Sequence, residues 1–263
     1  MCTIFVSSEV EPMPTALIVE DEPEANKLLG MLIKLRDYDS ASAFDGREAL
    51  ERIGRSSPDV LFLDLMLPDI SGYDVCKAVK GSRATCLVPV VVVSARVAAR
   101  NRADSFQAGA DEFVPKPYTP DQIFEALGRA DALRASVERD RIEGTARFDD
   151  PDDDSAARDL AWLRSLVLGR CPLPEDQAAA LADVVGRVAA GVEGWARANP
   201  DQPAAALHYE LTRDGLALTL QGLRWLEPLD RAQGDPFIAC LGRFDRADVD
   251  RDADRLTLVK RWG

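Results

Sequence analysis

Four short stretches of the chain are almost wholly apolar: Ala16-Leu17-Ile18-Val19, Val60-Leu61-Phe62-Leu63, Val90-Val91-Val92-Val93 and Phe113-Val114. Runs this short and this rich in β-branched residues read as strands buried on both faces of a parallel sheet. Between them, apolar residues recur at three- and four-residue spacing over residues 22–35, 46–53, 72–79, 98–108 and 121–135. That is the pattern of helices with one buried side, and several open with Asp or Pro, as helix starts do. Strand and helix alternate about five times over the first half of the chain, which predicts a doubly wound α/β domain on a five-stranded parallel sheet.

Beyond residue 135 the pattern changes. Leu127, Ala130, Leu133 and Val137 lie along one side of a helix that the spacing carries from 121 to about 142, as a connector or dimer helix. A polar stretch, 143–154, follows with Asp149, Asp150, Asp152, Asp153 and Asp154, and reads as a solvated linker. Within it, Thr145-Ala146-Arg147-Phe148 could form a short edge strand. Residues 156–168 and 175–198 are amphipathic helices, the second stopped by Asn199-Pro200. Residues 207–213 and 216–221 alternate as strands around Asp214-Gly215, a strong hairpin signal. A short helix at 236–241 and a last strand at 256–262 complete an α+β layer, helices on one face of a mostly antiparallel sheet. The expected organisation is an N-terminal extension (1–14), the α/β domain (15–135), an extended helix with an acidic linker (136–154) and an α+β output domain (155–263), with 143 as an alternative start for the last.

With 263 residues, 46% of them hydrophobic, the chain can build two cores. A net charge of −13 argues against nucleic-acid contacts, which need clustered Lys and Arg. Cys2, Cys76, Cys86, Cys171 and Cys240 have no paired spacing, as expected of reduced thiols in a cytoplasmic protein. No basic n-region opens the chain and no long apolar run offers a membrane span.

The chemistry lies where the apolar runs end. Glu20-Asp21, Asp64, Ser94 and Lys116 each follow a predicted strand, and the carboxyl ends of parallel strands converge on one crevice. Carboxylates brought together there need a hard cation, and Mg²⁺ takes few carboxylates, several waters and a phosphoryl oxygen. Asp21 is then a direct ligand, Glu20 an outer-shell one, and Asp64 the nucleophile towards phosphorus. Lys116, held out of helical geometry by Pro117, can pair with Asp64 and afterwards with a phosphoryl group.

Leu17-Ile18-Val19-Glu20-Asp21-Glu22-Pro23, Leu63-Asp64-Leu65-Met66-Leu67-Pro68-Asp69-Ile70-Ser71-Gly72, Val93-Ser94-Ala95 and Gly109-Ala110-Asp111-Glu112-Phe113-Val114-Pro115-Lys116-Pro117 together resemble a CheY-like receiver domain of a two-component response regulator. The resemblance implies that Asp64 accepts a phosphoryl group from a histidine kinase or phosphotransfer protein. It implies that Asp21, Asp64 and the main-chain carbonyl of Met66 hold Mg²⁺. Ser94 matches the switch hydroxyl and Phe113 the switch aromatic. Met66 and Arg96 flank the site and would control water access.

The second half is similar, in element order, to the GHKL-type ATPase fold of histidine kinases and anti-sigma-factor kinases. It departs from that family's chemistry: the second helix has no Asn, Gln221-Gly222-Leu223-Arg224-Trp225 replaces the adenine-site motif, and no glycine-rich lid is present. A degenerate, non-enzymatic domain that binds an unidentified protein is the expectation, with homodimerisation left open. Two alternatives stand beside it: an ATP-binding kinase or anti-sigma factor under phospho-control, and a phosphorelay intermediate using His208, the only histidine. Trp162, Trp195, Trp225 and Trp262 read as core or subdomain contacts.

Overall fold

Alternate residues of the apolar runs face opposite sides of one sheet, and that alternation builds two cores. In the computed structural model, residues 13–148, 153–198, 205–222, 242–250 and 252–262 are described. Strands β1 (Thr15–Val19), β2 (Asp39–Ala43), β3 (Val60–Leu63), β4 (Val90–Ser94) and β5 (Glu112–Pro115) form a parallel sheet in the order β2-β1-β3-β4-β5. Leu17, Val19, Leu61, Leu63, Val90 and Val92 pack on one side, Ala16, Ile18, Phe62, Val91 and Val93 on the other. Helices α1 (Pro23–Lys34), α2 (Gly46–Arg55), α3 (Gly72–Lys80), α4 (Ala99–Gln107) and α5 (Pro120–Val137) alternate with the strands. Asp45 and Ser71 cap α2 and α3 through the Glu48 and Tyr73 N–H groups, and Thr119 with Gln122 forms a capping box on α5.

Two features differ from the pattern-based expectation. The segment 39–43 carried no apolar run, yet it pairs with β1 as an edge strand; its Ser/Ala alternation suits a strand with one neighbour and a wet side. The last helix of the α/β domain ends at Val137, short of 142, and Arg141–Arg147 is strand β6. Ile142 and Ala146 point into a core while Arg141, Glu143 and Arg147 are exposed, a two-residue period that a helix cannot bury. Gly144 between them has a tertiary reason: a Cβ there would stand 2.3 Å from the Tyr209 hydroxyl oxygen.

The second half is an α+β layer. Helices α6 (Ser155–Arg170) and α7 (Glu175–Ala198) pack on an antiparallel sheet of β6, β7 (Ala206–Thr212), β8 (Gly215–Gln221), β9 (Arg246–Asp250) and β10 (Arg255–Arg261), ordered β6-β7-β8-β10-β9. The expected short helix at 236–241 lies outside the described residues, as do Trp225 and the Asn199-Pro200 stop. Trp162 is buried in the second core and Trp262 packs against it.

The halves are fastened through the loop after α3. Arg83 donates to the carbonyls of Leu168, Cys171 and Leu173 at 2.9, 3.2 and 2.8 Å, and its N–H donates to Glu175. It thereby satisfies carbonyls at the end of α6 that have no partner within the helix. Cys86 and Leu87 enter the second core. Lys80 is buried, bonds Asp111 at 2.6 Å and lies 5.4 Å from the Trp162 ring centre. α6 is apolar on several sides because it is covered by α7 and β6 and also packs on α4.

Candidate functional site

The ladder of the parallel sheet continues past the strand ends and holds the polar residues there. Glu20 N–H donates to the Ala43 carbonyl, Asp64 N–H to that of Val19 and Lys116 N–H to that of Ser94, at 3.1, 2.9 and 2.9 Å. Four expected residues, Glu20, Asp21, Asp64 and Lys116, therefore meet at one edge. The Lys116 ammonium is ion-paired with both Asp64 and Glu20. Carboxylate oxygens of Glu20, Asp21 and Asp64 all lie within 4.8 Å of one another. Glu20 and Asp64 are buried while Asp21 is exposed, so the cluster opens to solvent on the Asp21 side.

The electrostatics are those of a crowded acidic site around one cation. Burial pushes the Glu20 carboxyl above its ordinary pKa; Lys116 opposes that, and the neighbouring Asp64 and Asp21 charges add to it. Burial alone would lower the Lys116 pKa, but hydrogen bonds to Asp64 and Glu20 outweigh it and hold the ammonium above its usual range. Lys116 therefore stays protonated at neutral pH.

Ser94 is fully buried at the end of β4, and its Oγ accepts the Arg96 N–H at 3.3 Å. The free oxygen of Asp64 accepts the Met66 N–H at 3.0 Å. Met66 is half exposed, and the Arg96 Nε lies 2.9 Å from its sulfur, so the two residues meet over the site. Phe113 is buried in the core shared by α3 and α4. The Lys116-Pro117 peptide is cis.

Three contributors were given no role by the motifs. Asn26 is buried in α1 and its amide donates to the carbonyls of Ile18 and Glu20 at 3.4 and 3.3 Å, bracing the acidic pair from below. Gly72 allows close approach: a Cβ there would stand 2.2 Å from the Asp64 carbonyl oxygen. Glu112, beside Phe113, is buried and accepts from Arg129 of α5 and from Arg158 of α6, the latter at 3.1 Å, and from the Phe113 N–H at 3.0 Å. Gly72 stands in the motif string that follows Asp64, whereas the Glu112 partners come from distant elements and left no local signal.

His208 is on β7 of the other sheet. Its Nδ1 is 2.7 Å from the Thr145 hydroxyl and its Nε2 is 3.2 Å from Gln221 Oε1. Both ring nitrogens are engaged within the sheet, and the structure does not bring it into the Asp64 cluster.

A doubly wound sheet with a carboxylate cluster, a lysine and a hydroxyl at its carboxyl edge defines the class: an α/β domain whose polar groups converge on one crevice. The particular family follows: residues 16–128 match the response regulator receiver domain, and this part of the chain is such a domain. The chain is similar to the transcriptional regulatory protein KdpE of Mycobacterium tuberculosis, 37% identical over 57% of this chain and 62% of the relative. It is also similar to the DNA-binding dual master transcriptional regulator RpaA of Synechocystis, 31% identical over 48% of this chain and 52% of the relative. The matches thus span only about half to three-fifths of these relatives. A crystal structure from Chloroflexus aurantiacus, described as a response regulator, is 31% identical over 47% of this chain and 99% of its own, with a TM-score of 0.44. The expectation that no nucleic acid is bound gains no support from these relatives. Among the described residues, no helix is long and apolar enough to cross a membrane.

Proposed function

We propose that the chain is a phosphorylation-switched regulator in which Asp64 accepts a phosphoryl group from a histidine kinase or phosphotransfer protein and the second half delivers the output by binding a protein. The observation that carries this reading is the single lysine, Lys116, bridging the buried Asp64 and Glu20 beside the exposed Asp21. An Asp64 oxygen attacks phosphorus, the phosphorus–nitrogen bond of the donor breaks, and a mixed anhydride forms at Asp64. Asp21, Asp64 and the Met66 main-chain carbonyl would hold Mg²⁺, with Glu20 further back; this donor set fits a hard cation, which would supply neutralisation of charge on the incoming group. Lys116 passes from the carboxylate to the phosphoryl oxygens, and the Ser94 hydroxyl donates to one of them. Met66 and Arg96, in contact over the site, restrict water and slow hydrolysis. Leu28 and Met31 on α1 with Leu35 at its cap form a stripe more than half exposed, an apolar docking face for a helical donor domain.

The energy suffices for a switch. A charge pair at about 4 Å contributes roughly 4 kcal/mol at an effective dielectric of 20 and a charge-assisted hydroxyl bond about 1.5–3 kcal/mol. Inverting a two-state population needs about 5.5 kcal/mol. The route outward runs from Ser94 and the switch aromatic Phe113 through Glu112, whose carboxylate is held by Arg158 of α6. The second half is a degenerate GHKL-like domain without enzymatic activity, a reading supported by two helices on one face of an antiparallel sheet and by a helix α7 without Asn.

Acetyl phosphate with Mg²⁺ should add one acid-labile phosphoryl group per chain; equal labelling of Asp64→Asn would overturn the assignment. Low-micromolar binding of Mg-ATP to the full chain, measured by calorimetry, would overturn the degenerate reading. Because RpaA is named as DNA-binding, a second reading gives the output half a duplex-DNA ligand; salt-dependent gel shifts of the phosphorylated chain would favour it.

A further inference from the structure

Where α3 and α4 of the receiver face α6 and α7, a cavity of about 330 Å³ remains open to one side. That volume lies within the range of small-ligand sites. The space exists because the residues turned to it are small, among them Gly81, Ala108, Ala161, Ser165 and Ala179. Its ionisable lining is Lys77, Lys80, Arg164 and Asp183. Three of these four are cationic in a chain whose net charge is −13.

The partners of each decide which charges are available. Lys80 is committed to Asp111 and to the Cys86 carbonyl, at 2.6 and 3.1 Å. Asp183 is engaged by Arg187. Among the described residues Lys77 has only Asp74, at 4.0 Å, and is largely exposed. Arg164 donates one Nη to the Gln107 carbonyl at 3.2 Å, while its Nε–H is buried without a hydrogen-bond partner among the described residues. That nitrogen is closed off from the cavity, but the second Nη of Arg164 is not buried and has no partner among the described residues, so the guanidinium can still serve an acceptor that enters the cavity. A guanidinium from α6 and an ammonium from α3, lining one cavity, are the pair suited to phosphate oxygens. A phosphate monoester carries charge to match both, whereas a monocarboxylate would leave one unbalanced.

We propose that this junction cavity binds a small organic phosphate, of the size of glycerol 3-phosphate or ribose 5-phosphate, through Arg164 and Lys77. Because the walls belong to both halves, an occupant favours their docked arrangement. The site is a second input, chemically independent of phosphorylation at Asp64.

The test uses the full-length chain carrying Asp64→Asn, so that no phosphoryl transfer intervenes. Calorimetry with glycerol 3-phosphate and ribose 5-phosphate should show saturable binding of one molecule per chain, and the melting temperature should rise with ligand concentration. Arg164→Gln, which removes the guanidinium, and Ala179→Phe, which fills the mouth from an exposed helical position, should each weaken binding at least about tenfold. Absence of saturable binding by both phosphates overturns the proposal. So does binding that neither variant weakens, and so does succinate binding as tight as the phosphates.

Discussion

The two sheets of this protein handle polar residues in opposite ways, and strand direction is the reason. In the receiver all five strands run parallel, so their carboxyl ends share one edge and the residues just past them are forced together. Glu20, Asp21, Asp64 and Lys116 meet there, with Ser94 ending the strand beside Lys116. In the second half neighbouring strands run antiparallel, and no edge collects the strand ends. Polar residues instead spread across the face away from the helices. Thr145, His208, Thr219, Thr257 and Asp248 form one row over all five strands. Charges on that face are spent on one another, as Arg141 on Glu143 and Glu210, and Arg255 on Asp250. A parallel sheet concentrates unlike groups into a reactive site; an antiparallel one offers a broad surface suited to recognition.

The largest effect expected from this contrast is all-or-none. With acetyl phosphate and Mg²⁺, phosphoryl incorporation followed by intact-mass measurement should fall to background in Asp64→Asn and stay at the parental level in His208→Ala. Label that depends on His208 would break the contrast, because it would place chemistry on the antiparallel face.

Next in size is the buried pair at the junction. Lys80→Met leaves Asp111, whose side chain is 1% exposed, without its counter-ion and with only the Val90 N–H among its described partners, at a cost of about 3–5 kcal/mol. Denaturant melts should show this loss, and Lys80→Met with Asp111→Leu should recover most of it. Equal destabilisation by the double variant would mean that the pair is not what the site requires.

Arg83 tests whether the halves behave as one body. Arg83→Met removes three carbonyl contacts at the end of α6 and should cost about 2 kcal/mol. It should also separate a single unfolding transition into two, since only the backbone bond to Glu175 and the packing of Cys86 and Leu87 would then anchor the loop among the contacts described. A single unshifted transition would show that apolar contacts suffice.

Arg158→Gln probes the path from the Asp64 cluster to α6. If Glu112 reports the state of Phe113 to the second half, releasing one of its guanidinium partners should change the rate of labelling at Asp64 about fivefold, near the lower limit of allosteric coupling. Unchanged labelling kinetics would confine Glu112 to a structural role.

What could be read from the chain follows the same division. Asp21, Asp64, Ser94 and Lys116 were legible because each follows an apolar run, and a parallel sheet turns sequence position into spatial position. β2 was not, since an edge strand such as Asp39–Ala43 needs no apolar residues on its wet side. β6 was assigned largely to a helix and a linker because Ile142, Gly144 and Ala146 acquire a partner only when β7, more than sixty residues later, pairs with them. The same holds for Arg83, Glu112 and Arg158, whose roles are created by packing between halves and leave no local spacing to detect.

The smallest effect concerns a carboxylate without a close cation. Asp159 of α6 is half-buried, and burial pushes its pKa up, with the Arg158 charge opposing and the Asp153 charge adding. Lys116 in the receiver is the reverse case, a half-buried cation held charged by two carboxylates. Their signs differ accordingly. The folded state binds the Asp159 proton more tightly than the unfolded chain, so stability should increase as pH falls through the raised pKa and decline again as pH rises through it. The stabilisation from Lys116 is present below the ordinary lysine range and is lost as pH rises through its raised value. Denaturant melts across pH should therefore show a gain on mild acidification that Asp159→Asn removes and Lys116→Met retains. An acid-side gain that survives in Asp159→Asn would assign it to another carboxylate, with Glu20, buried and raised in the receiver site, the first to test by Glu20→Gln.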